Sequence, residues 1–371
     1  MTMSNTTIPL TLSPVRPQIT IPEDLLRPAA DGSRTLADTY GRVARDLRVS
    51  LTDRCNLRCT YCMPAEGLDW LPKDKVLTDE EITRLITLGV EKLGIRQVRF
   101  TGGEPLMRRS LEKIIAHTKS LKTDEGQAPQ TAITTNGLGL AKRAQKLADA
   151  GLDRVNISLD TIDKKAYAKL TRRDRLDDVI DAIETSLEVG LQPVKINAVI
   201  MPGFNDQDIV KLARFCLEKG TQLRFIEQMP LGPPSQWDRS EMVTAEDILD
   251  ELRTQFELTP VDKPRGSSPA ALWKADDGHG LRGEIGVIAS VTHSFCGDCD
   301  RTRLTADGAI RNCLFASADQ EFSVRDKLRD GSSDDEIATV WAAAMWAKLP
   351  GHAINDPGFL QPDRPMAAIG G

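Results

Sequence analysis

The chain has 371 residues, 40% hydrophobic and 27% charged, with a formal net charge of −6 at pH 7. That length can bury one large core or two smaller ones, and with aromatics at 5% aliphatic side chains must supply most of the burial. The acidic balance argues against a broad nucleic-acid or membrane surface, so an anionic ligand would need a local cluster of Arg and Lys. No apolar run approaches the roughly 20 residues that span a bilayer, and the opening MTMSNTTIPL lacks the charged-then-apolar order of a signal peptide. A cytoplasmic location is expected. Seven cysteines, most of them in two groups, fit a reducing compartment where thiols serve as metal ligands.

Residues 1–40 are rich in Thr, Pro and Ser and are expected to form a flexible extension. From Asp46, the β-like runs DLRVSLT, QVRFTG, TAITTN, RVNISLD, PVKINAVI and QLRFIEQM alternate with helical patterns near 78–94, 109–122, 141–150, 177–190 and 205–220. A sixth helix, TAEDILDELRTQF, follows. Thr78 and Glu81 form a capping box, and Ile82, Leu85, Ile86, Val90 and Leu93 share one face of the first helix. Six βα units predict an α/β fold with a parallel sheet and right-handed crossovers, too few for a complete eight-fold barrel. Val155, Ile157 and Leu159 alternate with Asn156, Ser158 and Asp160, and the same split sets Leu47 and Val49 against Arg48 and Ser50. Helices must cover the apolar face, so the polar face is expected to line a lumen that holds ligand.

Beyond residue 240 the rhythm fades. KPRGSSPAALWKADDGHG reads as loop, GEIGVIASVT, RTRLTA and AIRNCLF as short strands, and SDDEIATVWAAAMWAKL as a helix before a Pro- and Gly-rich tail. The expected organisation is an extension over 1–40, a βα region, open or barrel-like, over 41–240, a second cysteine-bearing region over 241–350 and a tail over 351–371.

Cys55, Cys59 and Cys62 stand in LTDRCNLRCTYCMP, close enough to converge on one metal centre. A disulfide framework would leave one of them unpaired. Structural zinc would need a fourth ligand, and neither histidine nor cysteine stands nearby. A 4Fe-4S cluster accepts three cysteines and leaves one iron open. Cys296, Cys299 and Cys313 form a second trio, where His293 makes a Cys₃His zinc site an equal rival on spacing alone. Cys216 shares a helical face with Ile209 and Leu212 and reads as core.

CNLRCTYC followed by TGGEP (Thr101 to Pro105) resembles the signature of the radical S-adenosylmethionine (SAM) enzymes. From about Gly41 onward the chain resembles one family among them, the GTP 3′,8-cyclases, or molybdenum cofactor biosynthesis protein A family. The resemblance implies a partial (βα)6 TIM-like barrel with a C-terminal extension carrying a second iron-sulfur site. It implies two 4Fe-4S clusters, on Cys55, Cys59 and Cys62 and on Cys296, Cys299 and Cys313, with SAM on the open iron of the first and guanine on that of the second. By the family pattern SAM meets Tyr61, Gly103, Ser158 and Met229. GTP meets Arg48, Arg99, Thr134, Lys195, Arg301, Thr302 and Arg303, and the terminal Gly370 and Gly371 reach into the site to assist the reaction.

The implied reaction is attack of a 5′-deoxyadenosyl radical on the ribose 3′ hydrogen, then closure to 3′,8-cyclo-7,8-dihydro-GTP, an early step of molybdenum cofactor biosynthesis. The implied partners are a flavodoxin- or ferredoxin-like electron donor, a downstream cyclic pyranopterin monophosphate synthase and a possible homodimer mate, with no nucleic acid and no membrane. Two other readings stay open at this level: a radical SAM peptide maturase with an auxiliary cluster, and a zinc-stabilised binding protein.

Overall fold

A computed structural model of the chain describes residues 20–22, 25, 35–233, 237–356 and 359–370. Gly371 and most of the expected N-terminal extension lie outside the described residues. Leu36 is already fully buried and Ala37 bridges Val43, so packing begins a few residues before the boundary expected at 40.

The parallel strands β1 (Asp46–Ser50), β2 (Gln97–Thr101), β3 (Gln130–Thr135), β4 (Arg154–Ser158), β5 (Lys195–Ile200) and β6 (Gln222–Glu227) lie side by side in chain order. Between them run α1 (Asp79–Thr87), α2 (Leu111–Ser120), α3 (Ala144–Asp149), α4 (Lys164–Thr171), α5 (Leu176–Glu188) and α6 (Ile209–Glu218), with α7 (Ala245–Arg253) after β6. The Thr78–Glu81 capping box starts α1 as expected, but the helix widens into a π turn over Leu88–Lys92. There Gly89 packs on the Trp341 ring. The charged segment that forms α4 carries too few apolar residues for its periodicity to stand out, although Asp163 caps it by accepting from the Ala166 N–H.

The C-terminal strands build no sheet of their own. These are β7 (Glu257–Pro260), β8 (Ala271–Asp276), β9 (Arg282–Ile288), β10 (Arg301–Leu304), β11 (Ala309–Arg311) and β12 (Glu321–Ser323). They lengthen both edges of the first sheet, with β10 parallel to β1 and β9 parallel to β6. The result is a 12-stranded sheet with β12 and β7 at its two ends, not closed into a barrel. The stretch read as loop before residue 280 contains β8, whose half-exposed side chains and Pro, Gly and Ser flanks hide its alternation. The helices α8 (Arg325–Arg329), α9 (Asp334–Trp346) and α10 (Met366–Ile369) complete the chain.

The alternation along the strands decides which face the helices cover. Leu47, Val49, Val155, Ile157, Leu159 and Ile196 are fully buried among the helices, as is Cys216 in α6. The opposite face carries Arg48, Arg99, Asn156, Lys195, Arg224 and Arg303, and no helix of the βα series is left to cover it.

Candidate active site

The first cysteine loop follows β1 directly. The Cys62 and Met63 N–H groups both donate to the Cys59 carbonyl, curling the loop on itself. Its outer side is tied to the end of α4, where the Leu170 and Thr171 carbonyls accept from the Thr60 and Arg58 N–H groups. Arg172, in the left-handed region at φ 57°, donates to the carbonyls of Arg58 and Met63 at 2.9 and 3.2 Å. Burial raises all three thiols, Cys62 to about 12; neighbouring cysteines and Asp160 add to the rise at Cys59 and Cys62, and Glu104 adds to it at Cys55. Three thiolates packed this way need a cationic partner. This all-sulfur set of three, with no fourth protein ligand beside it in sequence, fits a thiolate-bound cluster better than a lone zinc.

TGGEP continues β2 alongside this loop. The Gly103 and Glu104 N–H groups donate to the Thr52 and Arg54 carbonyls, both at 2.7 Å. A Cβ on Gly102 or Gly103 would collide with the backbone of Thr52, Asp53 or Arg54. The glycines are thus required where strand and loop meet, a packing need that stands apart from any ligand. Glu104 is buried, and burial lifts its carboxyl to about 7 although the Asn136 and Leu106 N–H groups and the Thr135 hydroxyl all donate to it. The expected SAM contacts gather at the C-terminal ends of the strands: Tyr61 after β1, Gly103 after β2, Ser158 closing β4 and Met229 after β6. The Tyr61 hydroxyl donates to Asp160 Oδ2 at 3.1 Å.

The expected GTP contacts lie deeper on the polar face. Arg48 is the register partner of Arg99 on one side and of Arg303 on the other. Burial first, then mutual repulsion, pushes Arg48 and Arg303 down to about 9, Arg99 to about 10 and Lys195 to about 8. Asp46, held low by these arginines against the effect of its burial, is the acid among them, 3.6 Å from Arg48 Nη2 and 4.0 Å from Arg301 Nε. The Nε groups of Arg48, Arg99 and Arg224 are buried without a hydrogen-bond partner. Buried, unpartnered donors of one sign suit a multiply charged anion that supplies acceptors and counter-charge together. Thr134 lies at the rim, accepting from Asn156 Nδ2 at 3.4 Å. Thr302 departs from expectation, because its side chain lies on the other face of β10. It is fully buried and its hydroxyl accepts from Trp341 Nε1 at 3.0 Å, leaving only its main chain toward the lumen.

The second cysteine trio sits at the other end of the same strands. Cys299 precedes β10 by one residue and Cys313 follows β11 by one. Burial acts to raise the Cys299 thiol, but Lys348 and then Arg301 outweigh it and hold the thiol below its usual range. Burial raises Cys313. His293 is exposed, with Nδ1 3.1 Å from the Thr292 hydroxyl. Five residues of strand span about 16 Å, so the two cysteine groups lie at opposite ends of that length.

The tail enters this space. Gly370 adopts φ +76°, its carbonyl accepts from Arg303 Nη1 at 2.6 Å, and a Cβ there would overlap Ser50 Oγ. The Ala367 N–H donates to Cys62 and the Met366 N–H to the Leu231 carbonyl, so the tail touches the first cysteine loop as well. Gly371 lies outside the described residues.

The reading by residue pattern missed Arg224 and Lys348. Arg224 sits between Leu223 and Phe225 in QLRFIEQM, the phase that singled out Arg99 in QVRFTG, so the signal was there. It is 5% exposed and donates to Asn156 Oδ1 at 2.9 Å. Lys348, just past α9, carries no pattern that marks it.

Comparison with known proteins identifies the family. Residues 49–216 match the Radical SAM superfamily, and residues 221–354 match Molybdenum Cofactor Synthesis C. The GTP 3′,8-cyclase of Corynebacterium glutamicum (strain R) is 64% identical over 353 residues, 95% of this chain and 93% of that protein. The GTP 3′,8-cyclase of Mycobacterium sp. (strain KMS) is 57% identical over 347 residues, 93% of this chain and 97% of that protein. Among solved structures, Streptococcus suis SuiB bound to S-adenosylmethionine aligns with a TM-score of 0.55 at 16% identity, covering 89% of this chain and 76% of that one. Native anSMEcpe with bound AdoMet aligns with a TM-score of 0.53 at 16% identity, covering 76% and 78%. These two likenesses concern the fold alone. With near-full-length identity well above half to such relatives, the chain belongs to the GTP 3′,8-cyclase family of the radical SAM superfamily.

Proposed function

We propose that the chain cyclises GTP to 3′,8-cyclo-7,8-dihydro-GTP in molybdenum cofactor biosynthesis, with the nucleotide held in the lumen between its two cysteine groups. The observation that carries this reading is the set of buried guanidinium groups on the polar face of β1, β2, β6 and β10, of which Arg48, Arg99 and Arg224 keep an unpartnered Nε. Arg48, Arg99, Lys195, Arg224 and Arg303 would hold the triphosphate, whose charge relieves their repulsion. Cys55, Cys59 and Cys62 would hold the first 4Fe-4S cluster, with SAM lodged among Tyr61, Gly103, Ser158 and Met229. Cys296, Cys299 and Cys313 would hold a second 4Fe-4S cluster that meets the guanine, with Arg301 and the main chain of Thr302 beside it. When bound, the first cluster and SAM supply the reductive cleavage that yields the 5′-deoxyadenosyl radical. The burial of Arg224, Arg303 and Asn156 keeps bulk water from the polar face while the tail closes over it.

A flavodoxin- or ferredoxin-like carrier would supply the electron, and a cyclic pyranopterin monophosphate synthase would take the product. Among the described residues no helix is long and apolar enough to cross a membrane, and the cytoplasm is the setting we assign. The test is anaerobic incubation of reconstituted protein with SAM, GTP and a low-potential reductant. GTP-dependent 5′-deoxyadenosine and a cyclised nucleotide by mass spectrometry are expected. Release of 5′-deoxyadenosine that ignores GTP would defeat the reading.

A further inference from the structure

Lys348 is 3% exposed, and the three N–H groups of its ammonium all go to one segment. Nζ donates to the Cys299 carbonyl and the Arg301 carbonyl, both at 3.0 Å, and lies 3.4 Å from Cys299 Sγ. No carboxylate lies within ion-pairing distance of it among the described residues. A buried ammonium is costly unless an anion faces it, and in this contact shell the sulfur is the atom able to carry negative charge. Arg301 Nη1 approaches the same sulfur at 3.7 Å.

The ammonium is not free to swing away. Arg42, itself paired with Asp38, donates to the Leu349 carbonyl at 2.6 Å and the Pro350 carbonyl at 3.1 Å. The same guanidinium donates to the Cys296 carbonyl at 2.7 Å. Asn312, beside Cys313, donates to the Ala344 carbonyl in α9 at 2.8 Å. The end of α9 and the second cysteine trio are thereby fastened into one unit, with Lys348 aimed at one sulfur of the three. Among the described residues the first trio has no cation hydrogen-bonded to a sulfur, Arg58 reaching the Cys55 carbonyl instead. Its sulfurs take the Leu57 N–H and Asn136 amide at Cys55 and the Ala367 N–H at Cys62.

We propose that Lys348 is a positioning and charge-compensating residue for the second cluster, drawing negative charge off the Cys299 thiolate. This rests on the reading that Cys296, Cys299 and Cys313 hold a 4Fe-4S cluster. Hydrogen bonds and positive charge at a ligating sulfur stabilise the reduced cluster and raise its potential. They also lessen repulsion between a thiolate-bound cluster and the anionic nucleotide beside it. No proton transfer is involved.

The test compares wild type with Lys348→Arg, Lys348→Gln and Lys348→Met, each reconstituted anaerobically. Iron and sulfide are counted, and both clusters are followed by a redox titration read by electron paramagnetic resonance. The first cluster is the internal reference in each molecule. In Lys348→Met and Lys348→Gln the second cluster should shift to a more negative potential while the first stays put. Lys348→Arg should stay near wild type, and GTP should bind several-fold more weakly to Lys348→Met. Should Lys348→Met fail to take up the second cluster, Lys348→Gln against Lys348→Arg still decides, since glutamine keeps N–H donors without the charge. An unmoved second potential in Lys348→Gln alongside a lowered melting temperature overturns the proposal and leaves the lysine a packing peg. Wild-type protein with about four irons per chain, where two clusters need about eight, removes the proposal together with its premise, and the iron count alone tells that failure from the other.

Discussion

Arg48 on β1 and Arg303 on β10 are direct register partners on neighbouring parallel strands, so two buried guanidinium groups face one space from adjacent backbones. Like charges opposed in this way destabilise the chain unless something of opposite sign comes between them. Arg303→Met should weaken GTP binding by about 10- to 100-fold, as expected for a lost hydrogen-bonded charge. The melting temperature without nucleotide should stay level or rise. Titration calorimetry and thermal melts check both, and a falling melting temperature with unchanged affinity would make Arg303 structural.

Lys195 gives the lumen a pH dependence. Burial first, then Arg224, Arg154 and Arg99, brings it from 10.5 down to about 8. Between those values the unfolded chain holds a proton that the folded chain has released, so stability should rise with pH across that window. Below about 8 the cost of the charged, buried lysine is carried in full. A bound triphosphate should restore the charge, so binding near pH 9, about a unit above that value, should take up a proton. Calorimetry in buffers of different ionisation enthalpy should show the uptake in wild type and its loss in Lys195→Met. Equal uptake in both would move the phosphates elsewhere.

Thr302 should behave unlike its neighbours in the RTR run. Thr302→Val leaves the Trp341 N–H buried without its acceptor, at a cost of about 1–3 kcal/mol. GTP affinity should hardly change. A large loss of affinity with an unchanged melting curve would put its side chain back in the lumen.

Gly370→Ala places a methyl group on Ser50 Oγ and forces an L-residue to φ +76°. The tail should leave the lumen, with turnover lost while iron content stays normal. Ser50→Gly in the same chain removes the obstacle but not the backbone strain, so it should restore tail docking only in part. Limited proteolysis of the tail reads this directly, and full protection in Gly370→Ala would refute it.

Arg172 is the non-glycine residue that ends α4 at φ 57°. Arg172→Gly relieves that backbone and removes the clamp on the Arg58 and Met63 carbonyls. Iron of the first cluster should then be lost faster to a chelator, with global stability unchanged or improved. An unaltered rate would mean that the turn alone matters.

Much of this site was legible because period-two alternation sorts lumen from core one strand at a time. The family resemblance names Arg48, Arg99 and Lys195 as GTP contacts, alternation puts them on the polar face, and Arg224 shares their phase. The register that sets Arg303 against Arg48 was not legible, because β10 and β1 are far apart in the chain and alternation carries no information about partners. Thr302 illustrates a related gap: family resemblance names the RTR run as a unit, while the pleat sends its middle side chain to the helices. The strand β8, next to the edge strand β7, was hidden because half-exposed side chains weaken the pattern. Lys348 was invisible for a different reason, since its three acceptors are made by folding.

The pairing of β10 with β1 also bears on the order of assembly. The first cysteine loop can form from local chain, but the cationic pocket needs a strand made long after β1, and contacts so distant in sequence form late. During synthesis β1 would present an unpaired edge with a half-built cluster loop beside it. That exposed interval is when a chaperone or an iron-delivery factor would have its best access.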